Sequence, residues 1–422
     1  MKITIITVGS RGDVQPYIAL GVGLQNAGYT VRLATHDTFK SLIISYGLDF
    51  FPVSSDIQSI TQSETGKQLI EAGGNPFTVL KRLSKAFEPI MESILKQSWI
   101  ACQDADLIIS GSIAFWGYDI AEKLGIPFVF ASLQPIYPTK SFINPLCPPW
   151  LHLGGWVNRQ SYIWISQILW QLFRNPVNRW RVETLGKPSD NQCLFLTDEW
   201  DNVQKLFGFS PSVISSPKDW NESCHVTGYW FLETPDDFEP PPGLLDFLEA
   251  GKPPIYIGFG SMASRNPEQM TTIALQALEK TQQRGILLTG WGGISNTNLP
   301  NYAFKLESIP HDWLFPKMKA IVHHGGAGTT AAALKSGIPS VVIPFFSDQP
   351  FWADRITKLG VSPTPIPKQK LTANRLANGI QKAIADNTIR QRAAQFGETI
   401  RAENGMGEAA KIIRNLQFAG GK

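Results

Sequence analysis

The stretch that most constrains this chain runs from Ala320 to Arg355, AIVHHGGAGTTAAALKSGIPSVVIPFFSDQPFWADR. Ala320–Val322 has the pattern of a short buried strand, and His323 and His324 stand at its carboxyl end. Gly325, Gly326, Ala327 and Gly328 lead into Thr329, Thr330 and a helix-forming run to Lys335. Gly337 and Pro339 end that helix, and Ser340–Ile343 opens another strand. Strand, glycine turn, helix, strand, with short connections, is the grammar of a parallel α/β unit.

Residues without side chains let the backbone approach a ligand, and a helix start offers unpaired N–H groups at the positive end of its dipole. A diphosphate fits such a place. The dipole alone is worth only about 0.3–1 kcal/mol when exposed, so His324 and the hydroxyls of Thr329 and Thr330 are expected to add to it. A tight β–α turn that binds nothing would need the glycines but not the His pair, the Thr pair or Asp348-Gln349 one strand later. Loops after parallel strands leave from one sheet edge, where ligands bind.

The segment resembles the donor-sugar signature of family 1 glycosyltransferases, enzymes of nucleotide sugars built from two facing Rossmann-like domains (the GT-B fold). The HHGGAGTT spelling followed by PFFSDQPFWADR is most similar to the sterol 3β-glucosyltransferases and related bacterial glycosyltransferases. That resemblance implies an α/β chain with a cleft between two domains.

The rest of the chain bounds the reading. A length of 422 residues suggests two or three domains. A net charge of +3 is too small to argue for nucleic acid. Four separated cysteines, Cys102, Cys147, Cys193 and Cys224, form no CxxC pair and suggest neither a zinc site nor a secreted disulfide framework. Ile3–Val8 is too short for a signal peptide, and no segment approaches the roughly 18 apolar residues of a membrane span. A reducing cytoplasm is the expected location.

Lys2–Val8 reads as a buried strand and GSRGDVQ as its loop, with Pro16 where a helix begins. Thr30–Thr35 and Leu48–Pro52 read as further strands around a helix at Phe39–Tyr46. GSRGD is not G-x-G-x-x-G, which argues against a dinucleotide site and hence a dehydrogenase. By spacing alone Asp13 reads as an aspartate at a helix start. The resemblance implies otherwise: GSRGDVQP matches the family's N-terminal motif, in which this aspartate is the catalytic base. Ser10 and Arg11 would then line the acceptor side.

Ile57–Gly73 reads as a loop and helix, Thr78–Ile100 as a long amphipathic helix, and Asp106–Ser110 and Pro127–Ala131 as strands around a helix at Ile113–Leu124. From Lys140 to Lys187 there are five tryptophans, six basic residues and one acid, Glu183. Helices are expected at Trp156–Phe173 and Val177–Leu185. The aromatics read either as core or as an apolar acceptor pocket, Trp150 and Trp156 included, that doubles as a patch on a lipid surface. Gln192–Thr197 and Val213–Ser215 read as the last strands of the first domain.

ETPDDFEPPP, Glu233 to Pro242, has four prolines and four acids and reads as a linker. The expected division is an acceptor domain over 1–232, a linker over 233–253, a nucleotide-sugar domain over 254–400 and a final helix within 401–422 that crosses back to the first domain. In the second domain Pro254–Phe259 and Ile286–Thr289 read as strands and Gly290–Gly293 as a loop.

The resemblance further implies that His324, Gly326, Gly328, Thr329 and Thr330 hold the diphosphate, with Ser261 near the phosphates. Asp348 and Gln349 would bind the sugar hydroxyls, and Ser308 and Ile309 would cradle the base. Ser308 replaces the stacking tryptophan of plant members and Ala332 their ribose-binding glutamate, which leaves UDP against dTDP open. The expected activity is an inverting transfer of a hexose, glucose from UDP-glucose, to a hydroxyl of a lipophilic acceptor such as a sterol, with no metal and no further cofactor. A sugar-nucleotide epimerase on the same fold, or a non-catalytic carrier of lipids or nucleotide sugars, would be the alternatives.

Overall fold

The computed structural model describes residues 1–53, 76–151, 153–259, 267–288 and 299–419. Ile57–Gly73, Ser261 and the loop Gly290–Gly293 lie outside the described residues.

Short runs of Ile, Val, Leu and Phe form two all-parallel sheets. The first contains β1 (Lys2–Ile6), β2 (Thr30–Thr35), β3 (Asp49–Pro52), β4 (Leu107–Ser110), β5 (Phe128–Ser132), β6 (Gln204–Phe207) and β7 (Cys224–Val226), in the order β3-β2-β1-β4-β5-β6-β7. The second contains β8 (Ile255–Gly258), β9 (Gly285–Leu288), β10 (Ala303–Leu306), β11 (Ala320–His323) and β12 (Ser340–Val342), in the order β10-β9-β8-β11-β12. Every adjacent pair is parallel. Helices cover both faces, as such sheets require. Strand order reverses between β1 and β4 in the first sheet and between β8 and β11 in the second. The loops after β1 and β11 therefore leave from switch points, where α/β sheets open a crevice.

One hydrophobic cluster belongs to both units. Phe207, Phe209, Val213, Ile214 and Tyr229 of the first pack with Val342, Phe351, Trp352, Ile356 and Val361 of the second. Arg355 Nε donates to Val213 O across the same seam at 2.6 Å. After the helix Asn387–Ala402 the chain returns to the first unit. Glu403 accepts from Ser210 Oγ (2.6 Å) and Ser212 Oγ (3.1 Å). The helix Gly405–Ala419 then buries Ala409, Ala410 and Ile413 beside Ile18 and Leu24 of the helix Arg11–Asn26. That approach is close: a Cβ on Gly23 would sit 2.7 Å from Met406 Cβ. In the linker, Thr234 Oγ1 donates to Asp312 Oδ1 at 2.6 Å, and a short helix, Leu244–Glu249, follows before β8.

Several sequence expectations are corrected. Pro16 is not at a helix start: the helix begins at Arg11, because Ser10 and Asp13 cap it there, and Pro16 lies in its interior. Trp156–Phe173 and Val177–Leu185 are not separate helices, since one helix runs Gly155–Trp180 through Pro176 and widens into a π-turn at Arg181–Leu185. Gln192–Thr197 holds a 3-10 turn (Leu194–Leu196), and Val213–Ser215 is irregular; the last strands are β6 and β7. β6 was hidden by its lysine. Lys205 is fully buried, and its ammonium donates to Trp200 O (2.5 Å), Val203 O (2.6 Å) and Ser223 Oγ (3.1 Å). Burial pushes its pKa down to about 8. Among the described residues, no helix is long and apolar enough to cross a membrane.

Candidate active site

The loop after β1 is built around Gly9, whose φ of +136° suits only glycine. A Cβ there would lie 2.6 Å from Asp13 Oδ2. Gly9 N–H donates to His36 Nε2 at 3.0 Å, while the other ring nitrogen of His36 meets Val53 O at 3.2 Å. Ser10 then caps the helix. Its N–H and its hydroxyl both donate to Asp13 Oδ2 at 2.8 Å, a capping box in which aspartate stands for the usual Glu or Gln. Both donors use Oδ2, and among the described residues Oδ1 has no hydrogen-bond partner. Burial raises the Asp13 pKa above the ordinary carboxylate value, against the Ser10 hydrogen bonds and the nearby His36, which lower it.

The turn after β11 faces this loop. Gly325 (φ +89°) donates its N–H to His323 Nδ1 at 3.1 Å, and a Cβ on it would come within 2.8 Å of Val342. Gly326 caps the helix Ala327–Ser336, and a Cβ on it would meet His324 Nε2 at 2.5 Å. His324 thus lies against the helix start. Its Nδ1, like His323 Nε2 and Thr330 Oγ1, is buried without a partner among the described residues. Burial lowers the pKa values of His324 to about 4 and of His323 to about 3. His311 is lowered to about 4, first by burial and then by the positive charges of Arg11 and His324. It stacks on Phe315 with ring centroids 4.3 Å apart.

The third loop follows β12. Gln349 Oε1 accepts from Phe345 N–H (2.8 Å) and Phe346 N–H (3.4 Å), which folds the loop back on itself. Ser347 sits at φ +60°, a strained setting for a residue with a side chain. Asp348 Oδ2 accepts from Trp352 Nε1 at 2.9 Å and from Gln134 Nε2 of the first unit at 3.4 Å. Burial raises its pKa, and the charge of Asp13 adds to the rise.

These loops border one cleft of about 1620 Å3 between the two units. A single small-molecule site takes roughly 300–1,000 Å3, so this one has room for two substrates. Asp13, Ser10, Arg11, Ser308, Ile309, His324, Gly326, Gly328, Thr329, Asp348 and Gln349 all line it, as does Ala332. Three expected residues do not. Thr330 is buried behind the wall, because its helix register turns the hydroxyl inward. Trp150 and Trp156 are 72% and 68% exposed on the outer surface. The helix Gly155–Trp180 instead presents Ile165, Leu169, Trp170 and Phe173 to the cleft, beside Phe115, Phe130, Phe195 and Trp200 of the same apolar chamber.

His36, Gln134 and His311 were missed. His36 and Gln134 act through loops remote in sequence, and only His311, following Ser308-Ile309-Pro310, stood near a recognised segment. Among the described residues no three His, Cys, Asp or Glu side chains gather as a metal site.

A model of the Glycosyltransferase family 28 N-terminal domain matches residues 3–143. A model of the Erythromycin biosynthesis protein CIII-like C-terminal domain matches 293–416. Sterol 3-beta-glucosyltransferase of Cryptococcus neoformans var. neoformans serotype D is 37% identical over 444 residues, covering 99% of this chain and 27% of that protein. Sterol 3-beta-glucosyltransferase UGT80A2 of Arabidopsis thaliana is 36% identical over 425 residues, covering 98% of this chain and 65% of that one. This chain thus spans less than two thirds of either relative. Among solved structures, the calicheamicin glycosyltransferase CalG4 is similar at a TM-score of 0.72 and 18% identity, covering 100% and 99% of the two chains. The glycosyltransferase VinC in complex with DTDP is similar at 0.65 and 17%, with both chains covered in full (100%). At such identities the structures speak for the fold. The two family models follow each other along the chain in the order of its two sheets, the sterol 3-beta-glucosyltransferases are similar to nearly all of it, and its fold is that of the GT-B glycosyltransferases.

Proposed function

We propose that this protein transfers glucose from UDP-glucose to the hydroxyl of a sterol or similar lipophilic alcohol, with inversion at the sugar carbon. The observation that carries the reading is the meeting of Asp13, the glycine turn after β11 and Asp348 in one cleft large enough for two substrates.

Each group has a distinct task. Asp13 Oδ2 is occupied by Ser10, so Oδ1 is the oxygen that takes the acceptor's hydroxyl proton. Its raised pKa makes it a better base than an exposed aspartate. The acceptor oxygen forms a bond to C1 of the sugar as the bond from C1 to the diphosphate oxygen breaks, and UDP leaves. One in-line displacement inverts the carbon. Negative charge grows on the diphosphate, where the first N–H groups of the helix Ala327–Ser336, the Thr329 hydroxyl and His324 are aimed. Asp348 accepts from a sugar hydroxyl. Gln349, whose Oε1 holds its own loop, keeps that carboxylate in place. Ser308 and Ile309 border the base end, and Ser261 remains assigned to the phosphates by resemblance.

The chamber of Phe115, Phe130, Trp170, Phe173, Phe195 and Trp200 suits a rigid apolar acceptor body, with Ser10 and Arg11 at its polar mouth. An acceptor of that kind resides in membranes, so a peripheral contact with a lipid surface, from the cytoplasmic side, belongs to the same reading. The domain division keeps its proposed boundaries near 232 and 254, with acceptor binding on the first unit.

The test is product analysis by mass spectrometry after incubation with UDP-glucose or dTDP-glucose and sterols delivered in cyclodextrin. A steryl glucoside of inverted configuration, formed equally with and without EDTA, is expected. No product from any sterol would remove the acceptor assignment, and release of a new sugar nucleotide instead would favour an epimerase.

A further inference from the structure

The helix Gly155–Trp180 has two apolar sides that do different things. Tyr162, Trp170, Val177 and Trp180 are buried, the last three against Met91, Ile94 and Leu95 of the helix Pro76–Ala101. The opposite side is bare. Trp156, Trp164 and Ile168 are 68%, 51% and 52% exposed, and Trp164 and Ile168, four residues apart, are neighbours on the helix surface. Trp150 and Leu153, just before the helix, are 72% and 61% exposed. Scattered apolar residues on a surface need no explanation, but three tryptophans and two aliphatic residues on one helix and the segment just before it do.

Two further observations say what covers this face. The first is continuity with the cleft. Leu146 and Leu169 are each 41% exposed, and both also line the cleft, so the apolar acceptor chamber opens toward the tryptophan face. The second is charge. No acid occurs between Glu122 and Glu183. In that span Arg181 turns inward onto Asp119, and the half-exposed Arg179 is paired with Glu88 and Glu92. Lys140 and Arg159 stand exposed beside the tryptophans, and Asn158 Nδ2 ties the Lys140 carbonyl to the start of the helix at 2.9 Å. Asp219, the acid that interacts with Arg159, is occupied by Thr139 Oγ1 (2.7 Å) and Lys140 N–H (2.8 Å). Tryptophans flanked by cations, on a stretch of chain that carries no acid of its own, match the boundary between acyl chains and anionic headgroups.

We infer that the face formed by Trp150, Leu153, Trp156, Trp164 and Ile168 docks on an anionic lipid bilayer, and that the acceptor enters the cleft from the membrane past Leu146 and Leu169. The inference rests on the lipophilic acceptor proposed above. The exposed cations beside this face are few, so apolar insertion supplies most of the binding and salt weakens it only modestly. A membrane-bound acceptor would reach Asp13 without crossing water.

The test uses the full chain and the double variant Trp164→Ser/Ile168→Ser, whose residues touch neither the cleft nor the core. Its circular dichroism should match that of wild type. Flotation is measured with phosphatidylcholine vesicles, with and without phosphatidylglycerol. Wild type should float, more strongly with the anionic lipid, and the double variant should partition at least about tenfold more weakly. Transfer to sterol embedded in the vesicles should fall in parallel, while transfer to sterol carried by cyclodextrin keeps its wild-type rate. Wild type that stays with no vesicle, a variant that floats like wild type, or a wild-type dimer in solution that the variant abolishes would each overturn the inference. If wild type fails to glucosylate cyclodextrin-carried sterol, the proposed function fails instead, and flotation alone then judges this face.

Discussion

Asp13→Asn separates chemistry from scaffold because the proposed mechanism gives the two oxygens of Asp13 different work. Oδ2 receives both Ser10 donors at 2.8 Å. The asparagine carbonyl can receive the same pair, so the helix cap, worth about 0.5–2 kcal/mol, survives. Its NH2 then stands where Oδ1 stood and offers a donor to an acceptor hydroxyl that needs a proton acceptor. A positioned general base contributes about 10²–10⁴-fold, or about 3–5 kcal/mol of barrier at 1.36 kcal/mol per tenfold. The turnover number should fall by that factor. The stability sign is opposite. Asp13 has a raised folded pKa, so its contribution to stability is present below the unfolded carboxylate value and lost as pH rises through the folded one. At neutral pH the ionised carboxylate is therefore a burden that asparagine lifts, and Tm should hold or rise. UDP affinity should not weaken, since a negative charge leaves a cleft meant for an anion. Steady-state transfer from radiolabelled UDP-glucose, calorimetry on UDP and a thermal melt give the three readouts. Asp13→Ala, which forfeits both Ser10 bonds, is the control that should lose stability as well as rate. A wild-type rate in Asp13→Asn would refute the mechanism, and joint loss of rate, UDP binding and Tm would reassign Asp13 to scaffold alone.

Other expectations follow from the same geometry. His324→Ala should weaken UDP by about 1.5–3 kcal/mol, the worth of a hydrogen bond to a charged group, with the fold intact; an unchanged calorimetric affinity would exclude the role. Gly9→Ala places a Cβ 2.6 Å from Asp13 Oδ2 at a φ of +136°, so both Tm and turnover should drop, by about 1–3 kcal/mol in stability, and a neutral melt would contradict the strain. His311, His323 and His324 have folded pKa values of about 4, 3 and 4. Their neutral forms therefore contribute stability that is present above the unfolded value of about 6.5 and lost as pH falls through about 4. Melts across that window should decline steadily, less so in His323→Gln, and a flat profile would count against the burial of the histidines.

What the sequence determined by itself was local. Gly325–Gly328 between a β-rich run and a helix former, and GSRGD after Lys2–Val8, declare their turns because positive φ and close approach select glycine wherever the rest of the chain lies. Those turns bring Asp13, His324 and Thr329 to the wall of the cleft. What depended on register or on distant partners could not be read this way. Trp150 and Trp156 looked like pocket residues, but which side of the helix Gly155–Trp180 meets the cleft is decided by its packing on the helix Pro76–Ala101. Lys205 disguised β6, because a buried ammonium becomes tolerable only once the carbonyls of Trp200 and Val203 converge on it. Gln134 reaches Asp348 across 214 positions of sequence, and His36, just past β2, accepts from Gly9 N–H. Such pairs exist only after both sheets have formed, because strand order, not proximity along the chain, sets which loops share an edge. The tertiary structure alone brought the Asp13 loop of one sheet to the glycine turn of the other, through the apolar seam of Phe209, Tyr229, Phe351 and Trp352 that holds the two units together.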